Sequence, residues 1–408
     1  MDSEDATGIE GEGAGGGRSP GLPMNLCAQC KGKGLCGRSK CPVTSRFHAA
    51  VSMKPMDAYM GEAPSVFVGS RGFPRMSAGP LLTGEPDSPK EWLRRGYSID
   101  DIVGVRARTI RGNTGLASVQ DALCEVALSA VPVDVEARFH SPIRFDLTFD
   151  GTLAPVGMKG ALKTISVLDN AKPERPVDRV TSDYDLRTAD AVRLLYGEGI
   201  DEHRITQLLS AGLLGVKRHA VPTRWAITAV DEMLSAGLRA QISHAPPLDA
   251  IRLYSAELFA NRIIILMIPG QWRFEMIEQW EKQSIWAPET ETILADGEKG
   301  TKNGYSPIAG AYYSARLGIA EHLARIGRSA SVLVIRRIRG EYWAPLGTWV
   351  IREAVRRAIQ ENPEPVESLD AGVARICQIM GSGKWLNYST LIPGIRTQKT
   401  LFDFALKL

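Results

Sequence analysis

The chain of 408 residues is most informative first in what it lacks. Its six histidines, His48, His140, His203, His219, His244 and His322, form no close pair, so a histidine-rich metal site is not written into the sequence. Aromatic residues make up only 7% and the net charge is +3, which excludes a polycationic, charge-dominated nucleic-acid binder without excluding nucleic acid as a partner. No apolar run reaches membrane-spanning length; the longest, "IIILMI" at Ile263 to Ile268, suits a buried strand. The first twenty residues are glycine-rich and acidic instead of basic-then-apolar, so no secretory signal is expected and the chain reads as cytoplasmic, with no membrane partner. No repeat of useful period is found.

What is present is ordinary globular composition, 44% hydrophobic and 23% charged, enough for a substantial core and more than one structural unit. Residues 1–23 combine glycine with acids and almost no large apolar side chains, and are expected to be a disordered leader. Residues 24–48 form a cysteine module, 49–392 a body with a subdomain break near 180–240, and 393–408 a tail. Within the body, "PIRFDLTFDGTL" alternates Ile143, Phe145, Leu147 and Phe149 against polar neighbours, which predicts a strand closing in an Asp-Gly hairpin turn. Helical spacing recurs in "SPKEWLRRGYSIDDIVGVRA", where Asp87 or Ser88 would cap the turn entered by Pro89, and through 185–240. It recurs again in "PIAGAYYSARLGIAEHLARIG", "GTWVIREAVRRAIQEN" and "SLDAGVARICQIM". "NRIIILMIPG" and "SVLVIRRIRGEYWAPL" read as strands. Helices and strands mix without a βαβ rhythm, which predicts an α+β fold of mixed sheets packed with helices.

Four of the six cysteines crowd into "CAQCKGKGLCGRSKC", giving C-x2-C-x5-C-x4-C with Cys27, Cys30, Cys36 and Cys41. In a reducing compartment such a cluster favours a metal over disulfides, and four thiolates favour tetrahedral Zn2+. A structural clip, four free thiols or an iron–sulfur cluster share the spacing. Lys31, Lys33, Arg38 and Lys40 lie between the ligands and make the loop a candidate phosphate-contacting surface. Cys124 and Cys377 stand alone and read as small buried hydrophobes.

At the other end, "QKTLFDFALKL" leaves apolar side chains on a terminus. Gln398, Leu401 and Phe404 stand at i, i+3 and i+6, so on a tight helical turn they share a face, with Phe402 adding apolar contact. The pattern fits a short peptide that orders in a partner's groove; a terminal element packed on its own domain is the alternative.

The body offers weaker signals. "GSRGFPR" is able to cradle a phosphate through backbone N–H groups beside Arg71 or Arg75, though solvated arginines on an irregular loop would look the same. "MGSGKWLNYS" fails the P-loop pattern, with Gln378 and Trp385 in the wrong places, leaving Trp385 and Tyr388 as stacking faces or core. The stretch from Asp201 to Ile227 lacks the tight turn of a helix-turn-helix, although Lys217, Arg218 and Arg224 give it a basic run. "RRIRGEYW" reads as a basic strand, DNA-facing or a charged hairpin edge. Asp146, Asp150, Asp183, Asp185, Glu275 and Glu278 are acids that a two-metal nuclease centre would use, with no spacing that singles them out.

Two resemblances follow from these motifs. The tail resembles the PIP box by which replication and repair proteins bind the sliding clamp PCNA; Gln398, Leu401 and Phe404 match, and Ala405 stands where that pattern has a second aromatic. The four-cysteine module, "PSVFVGSRGFPRMSAGPL", "FDGTLAPVGMKG" and "QKTLFDF" together resemble the archaeal Nre DNA-repair family, over nearly the whole chain after the leader. That resemblance implies DNA-damage repair, PCNA as a partner, DNA contact and a zinc finger, and assigns no catalytic residue. A nucleic-acid- or nucleotide-processing enzyme with an unassigned central site, and a non-catalytic clamp-binding adaptor, are the competing expectations.

Overall fold

The computed structural model describes residues 29–145, 147, 153–287, 289–300, 302 and 304–397. The leader, Cys27, Asp146, Phe149, Asp150, and the tail from Gln398 through Leu401, Phe402 and Phe404 lie outside the described residues. The fold is α+β, with two six-stranded mixed sheets and the helices packed on and between them.

The first sheet is built from β1 (Met56–Ala63), β2 (Ser65–Val68), β3 (Ser77–Leu82), β4 (Ile110–Gly115), β5 (Val133–Ile143) and β6 (Lys159–Val167), in the order β1-β5-β6-β4-β3-β2. Only β4 and β6 run parallel; the other neighbours are antiparallel. Along β5, Val133, Val135, Ala137 and Phe139 alternate into the core. The strand ends at Ile143, opposite Met56, so the element expected from Ile143 onward is really the end of an earlier one, and Leu147 is exposed. Gly79 on β3 is a packing requirement: a Cβ there would sit 2.1 Å from the Gly112 carbonyl oxygen. Short helices α1 (Pro42–Ala50), α2 (Pro89–Arg94), α3 (Ile99–Arg108) and α4 (Gln120–Leu128) interleave with these strands. The single helix expected from Pro89 is two. Ser88 occupies the N-cap position of α2 without a side-chain bond, and a second start follows at Ser98, whose hydroxyl and Asp101 form a reciprocal capping box for α3.

Four helices follow: α5 (Arg175–Ser182), α6 (Thr188–Gly197), α7 (Glu202–Ser210) and the long α8 (Thr223–Ile242). Val177, Val192, Leu195, Ile205, Leu208, Val230 and Leu234 make their common core.

The second sheet orders its strands β10 (Thr292–Glu298), β9 (Arg273–Trp280), β11 (Ala330–Ile338), β8 (Asn261–Pro269), β7 (Ile251–Leu258) and β12 (Glu364–Val366). The unbroken apolar run of β8 is explained by burial on both faces. Ile263, Ile265 and Met267 pack under α9 (Gly310–Ile326) and α10 (Trp349–Gln360). Ile264, Leu266 and Ile268 pack under α11 (Leu369–Met380) and α12 (Leu391–Arg396). The β7–β8 turn places Phe259 and Ala260 at φ of 49° and 57°, held by the Asn261 side-chain amide donating to the Phe259 carbonyl at 2.8 Å. Arg336 and Arg337 stand on β11 in the middle of this sheet, so "RRIRGEYW" is no edge. Buried Arg336 pairs with Glu278 and donates to Asn261, which satisfies a charge that a central strand cannot leave bare.

Helix α9 is buried on all sides, including His322, which meets the Tyr254 ring edge-on. Burial, with the nearby Arg325 and Arg252 guanidiniums, pushes its imidazole down to about 4. Since the unfolded chain binds this proton near pH 6.5 and the folded one does not until about 4, stability should fall as pH drops through that window, by roughly 3 kcal/mol in all. Denaturant titrations across it should show a shallower slope for His322→Gln than for the wild type.

Candidate nucleic-acid interface

The loop joining β2 to β3 is anchored at both ends. Gly69 donates to the Ser77 carbonyl at 2.8 Å, Met76 is buried, and the Val68 amide donates to the Thr223 hydroxyl at 2.9 Å, tying the loop to the first residue of α8. Gly72 takes φ +81°, a left-handed turn that glycine makes without strain. Between these anchors Arg71, Phe73, Pro74 and Arg75 project into solvent. No carboxylate pairs with Arg71 or Arg75 among the described residues. Phe73 is 57% exposed and lies against Trp225, itself 40% exposed, with ring centroids 5.1 Å apart and planes tilted by 58°. The first turn of α8 contains no acidic residue. On β4, Arg111 sets its guanidinium 4.4 Å over the Phe67 ring, and burial lowers its pKa.

Beyond its apolar packing through Val230 and Leu234, α8 is fixed by charge. Asp231 pairs with Arg352 and accepts the Ser314 hydroxyl at 2.6 Å. Its neighbour Glu232 pairs with Arg316 and with Arg239 at 3.0 Å. Arg316 also reaches Glu298 at 2.7 Å, and Glu298 takes further bonds from Arg239, Trp272 Nε1 and Tyr312 Oη. On the other side Arg352 Nε lies 2.9 Å from Glu202, which is also held by Arg356, and Arg356 reaches Glu321 at 2.7 Å. Burial raises the Glu202 pKa, but Arg352 and Arg356 pull harder and hold the carboxyl well below the usual range. The network thus joins α7, α8, α9, α10 and β10.

In the cysteine module, the Cys30 sulfur accepts the Leu35 amide at 3.3 Å, in a loop where Gly32, Gly34 and Gly37 take φ of 81°, 81° and 71°. Burial favours its thiol, yet the backbone amides of Leu35, Gly34, Cys36 and Gly32 outweigh it and lower the pKa. That cradle suits a thiolate and hence a soft cation. Cys36 and Cys41 are half-buried; among the described residues no three His, Cys, Asp or Glu side chains converge as a metal site, and Cys27 lies outside them. Of the interleaved cations, Lys31 and Lys33 are exposed, whereas Arg38 is buried and donates to the Ile285 carbonyl at 3.0 Å. Lys40 pairs with Asp100 and sits 5.0 Å over the Trp343 ring. Ser39 bonds Gly340 at 3.2 Å, so the module docks on turns of the second sheet.

The remaining candidates are engaged in structure. Twelve residues separate α7 from α8, and Arg218 there donates to the carbonyls of Gly215, Thr181 and Asp183 while covering Tyr184. Glu275 accepts from the backbone and hydroxyl of Thr390, the Leu391 amide and the Ser389 hydroxyl, fixing the start of α12. It lines a cleft of about 430 Å³ with Asp296, Glu298, Tyr388 and Thr390. Asp296 pairs with Lys302 at 2.6 Å, and Lys384 with Glu291 at 2.9 Å. Trp385 is core and Tyr388 is exposed. Asp183 accepts the amides of Asp185 and Leu186, closing a turn.

Comparison with known proteins places this arrangement. The family description "Archaeal Nre, N-terminal" matches residues 35–287, and "Archaeal Nre, C-terminal" matches 297–404. The chain belongs to the archaeal Nre family. It is 34% identical over 377 residues to the DNA repair protein NreA of Archaeoglobus fulgidus, covering 88% of this chain and 95% of that one. It is 33% identical over 374 residues to NreA of Haloferax volcanii (85% and 89%) and 32% over 392 to NreB of A. fulgidus (93% and 99%). No solved structure matches. No helix among the described residues is long and apolar enough to cross a membrane. The charge network crosses between the two Nre segments: Glu202, Asp231, Glu232 and Arg239 belong to the first, Glu298, Arg316, Arg352 and Arg356 to the second.

Arg316→Met should therefore cost about 1.5–3 kcal/mol in denaturant unfolding, because it removes a charged donor from buried Glu298 and leaves Arg239 as the one guanidinium paired with it among the described residues. Arg71→Glu with Arg75→Glu should leave stability within about 0.5 kcal/mol, since neither cation holds a partner among the described residues.

Proposed function

We propose that this chain is a cytoplasmic DNA-damage repair protein that meets DNA through the Arg71–Arg75 loop and is recruited to PCNA by its C-terminal tail. The observation that bears most of this reading is the pair of exposed guanidiniums, unpaired among the described residues, on a doubly anchored loop, in a chain whose relatives are named DNA repair proteins. Each guanidinium offers the planar donor set that phosphate oxygens accept. Two such contacts give modest affinity, and the tail compensates. Gln398, Leu401, Phe402 and Phe404 would seat in a groove of the clamp, which is already threaded on DNA, and so raise the local concentration of the body.

Cys27, Cys30, Cys36 and Cys41 would hold Zn2+ as a structural ion; the amide cradle at Cys30 supports this by favouring the thiolate. Metal binding of about 10–16 kcal/mol in small zinc peptides is ample to order a loop of this size. The ion would brace a loop that presents Lys31 and Lys33 to phosphate while Arg38 and Lys40 fix it to the body.

Clamp recruitment is tested by pull-down with PCNA. Deleting residues 397–408, or changing Phe404→Ala, should abolish retention; undiminished retention of both would rule out the tail as the recruiting element. Purified protein should contain about one zinc per chain, and Cys30→Ser should lose it; a wild-type protein that keeps no zinc after purification without chelator would contradict the metal assignment.

A further inference from the structure

We propose that Phe73 and Trp225 form a stacking platform for an unpaired base of DNA, with Arg71 and Arg75 set to hold the adjoining phosphates; this rests on the DNA-binding reading above. Single exposed hydrophobics need no explanation. Here two large aromatic rings touch each other at 5.1 Å while keeping 57% and 40% of their surface in water. They come from residues 152 positions apart in sequence, brought together by the Val68–Thr223 bond.

The surroundings select the occupant. The loop from Gly69 to Arg75 bears two cations and no acid, and the first turn of α8 bears no acid either. A purely apolar partner would gain nothing from those guanidiniums, whereas a nucleotide has a flat π-face and an anionic backbone joined together. The 58° tilt leaves the pair open as a V, so a ring face stays available. Stacked bases inside a duplex present edges and not faces, so the platform requires a base out of the helix: single-stranded DNA, a gap or an end. Because both rings sit on anchored backbone, little ordering is needed on binding.

The test uses the full chain with a short oligothymidylate and a blunt duplex at one fixed salt concentration. Phe73→Ala and Trp225→Ala should each weaken single-strand binding about tenfold, the order seen when one stacking aromatic is removed. Duplex binding should be unchanged, and Phe73→Tyr and Trp225→Phe should keep wild-type affinity. Thermal melts of the alanine variants show whether they fold. Should either fail, the decisive arm is DNA-induced tryptophan quenching, which should disappear in Trp225→Phe while its affinity is retained. Equal single-strand affinity in wild type and both alanine variants, or equal losses on single strand and duplex, overturns the platform. A wild type that binds neither DNA overturns the DNA-binding reading itself, a different outcome from the first.

Discussion

Asp231 and Glu232, adjacent on α8, each face a buried arginine from a different helix, Arg352 on α10 and Arg316 on α9. That constraint sets how the helical layer sits on the second sheet. Two successive residues on a helix point about 100° apart, so the pair pins α8 against rotation as well as against sliding. Buried charges are weak evidence for added stability, since apolar residues often do as well, but they are intolerant of misplacement. Here they lock the helical layer onto the second sheet, and they do so across the two segments into which the archaeal Nre family divides. Glu202 and Asp231 of the first segment find their arginines, Arg352 and Arg356, in the second.

That lock has a consequence at the other end of the same helix. Thr223 receives the last amide of β2, so the loop of the first sheet is referenced to a helix whose position is set by the second. The cysteine module adds a further tie, through Arg38 and Ser39 onto turns of the second sheet. A loop meant to meet a phosphate backbone benefits from such rigidity, because orientation lost to motion must be recovered from binding energy.

Much of this was legible from pattern. The run at Ile263 to Ile268 is a strand, the periodic stretches within 188–242 and those at Gly310–Ile326 and Trp349–Gln360 are helices, and the mixed order led to α+β. The errors have physical origins. Alternation at Ile143 to Phe149 extended a pattern that truly belonged to Val133–Ile143, where alanine and valine make a quieter signal. Arg336 looked like an edge charge because its partner Glu278 lies on a neighbouring strand far earlier in sequence. The ion network was invisible for the same reason: Arg316, Arg352 and Arg356 look like any solvated helix face until Glu298, Asp231 and Glu202 arrive from elsewhere. Of the candidate cations, Arg71 and Arg75 kept their exposure, while Arg38 and Lys40 found partners. Phe73 stood within a noticed motif, but nothing in "TRWAI" announced that Trp225 would leave the helix core to meet it.

If the Arg71–Arg75 loop touches DNA phosphates, single-strand affinity must carry the mark of its two guanidiniums in its salt dependence. For Arg71→Ala with Arg75→Ala, the slope of log affinity against log salt should be shallower than wild type by about 1.4, or roughly 0.7 for each phosphate no longer neutralised. An unchanged slope in a folded variant would contradict phosphate binding by this loop, and would move the DNA-facing surface elsewhere on the molecule.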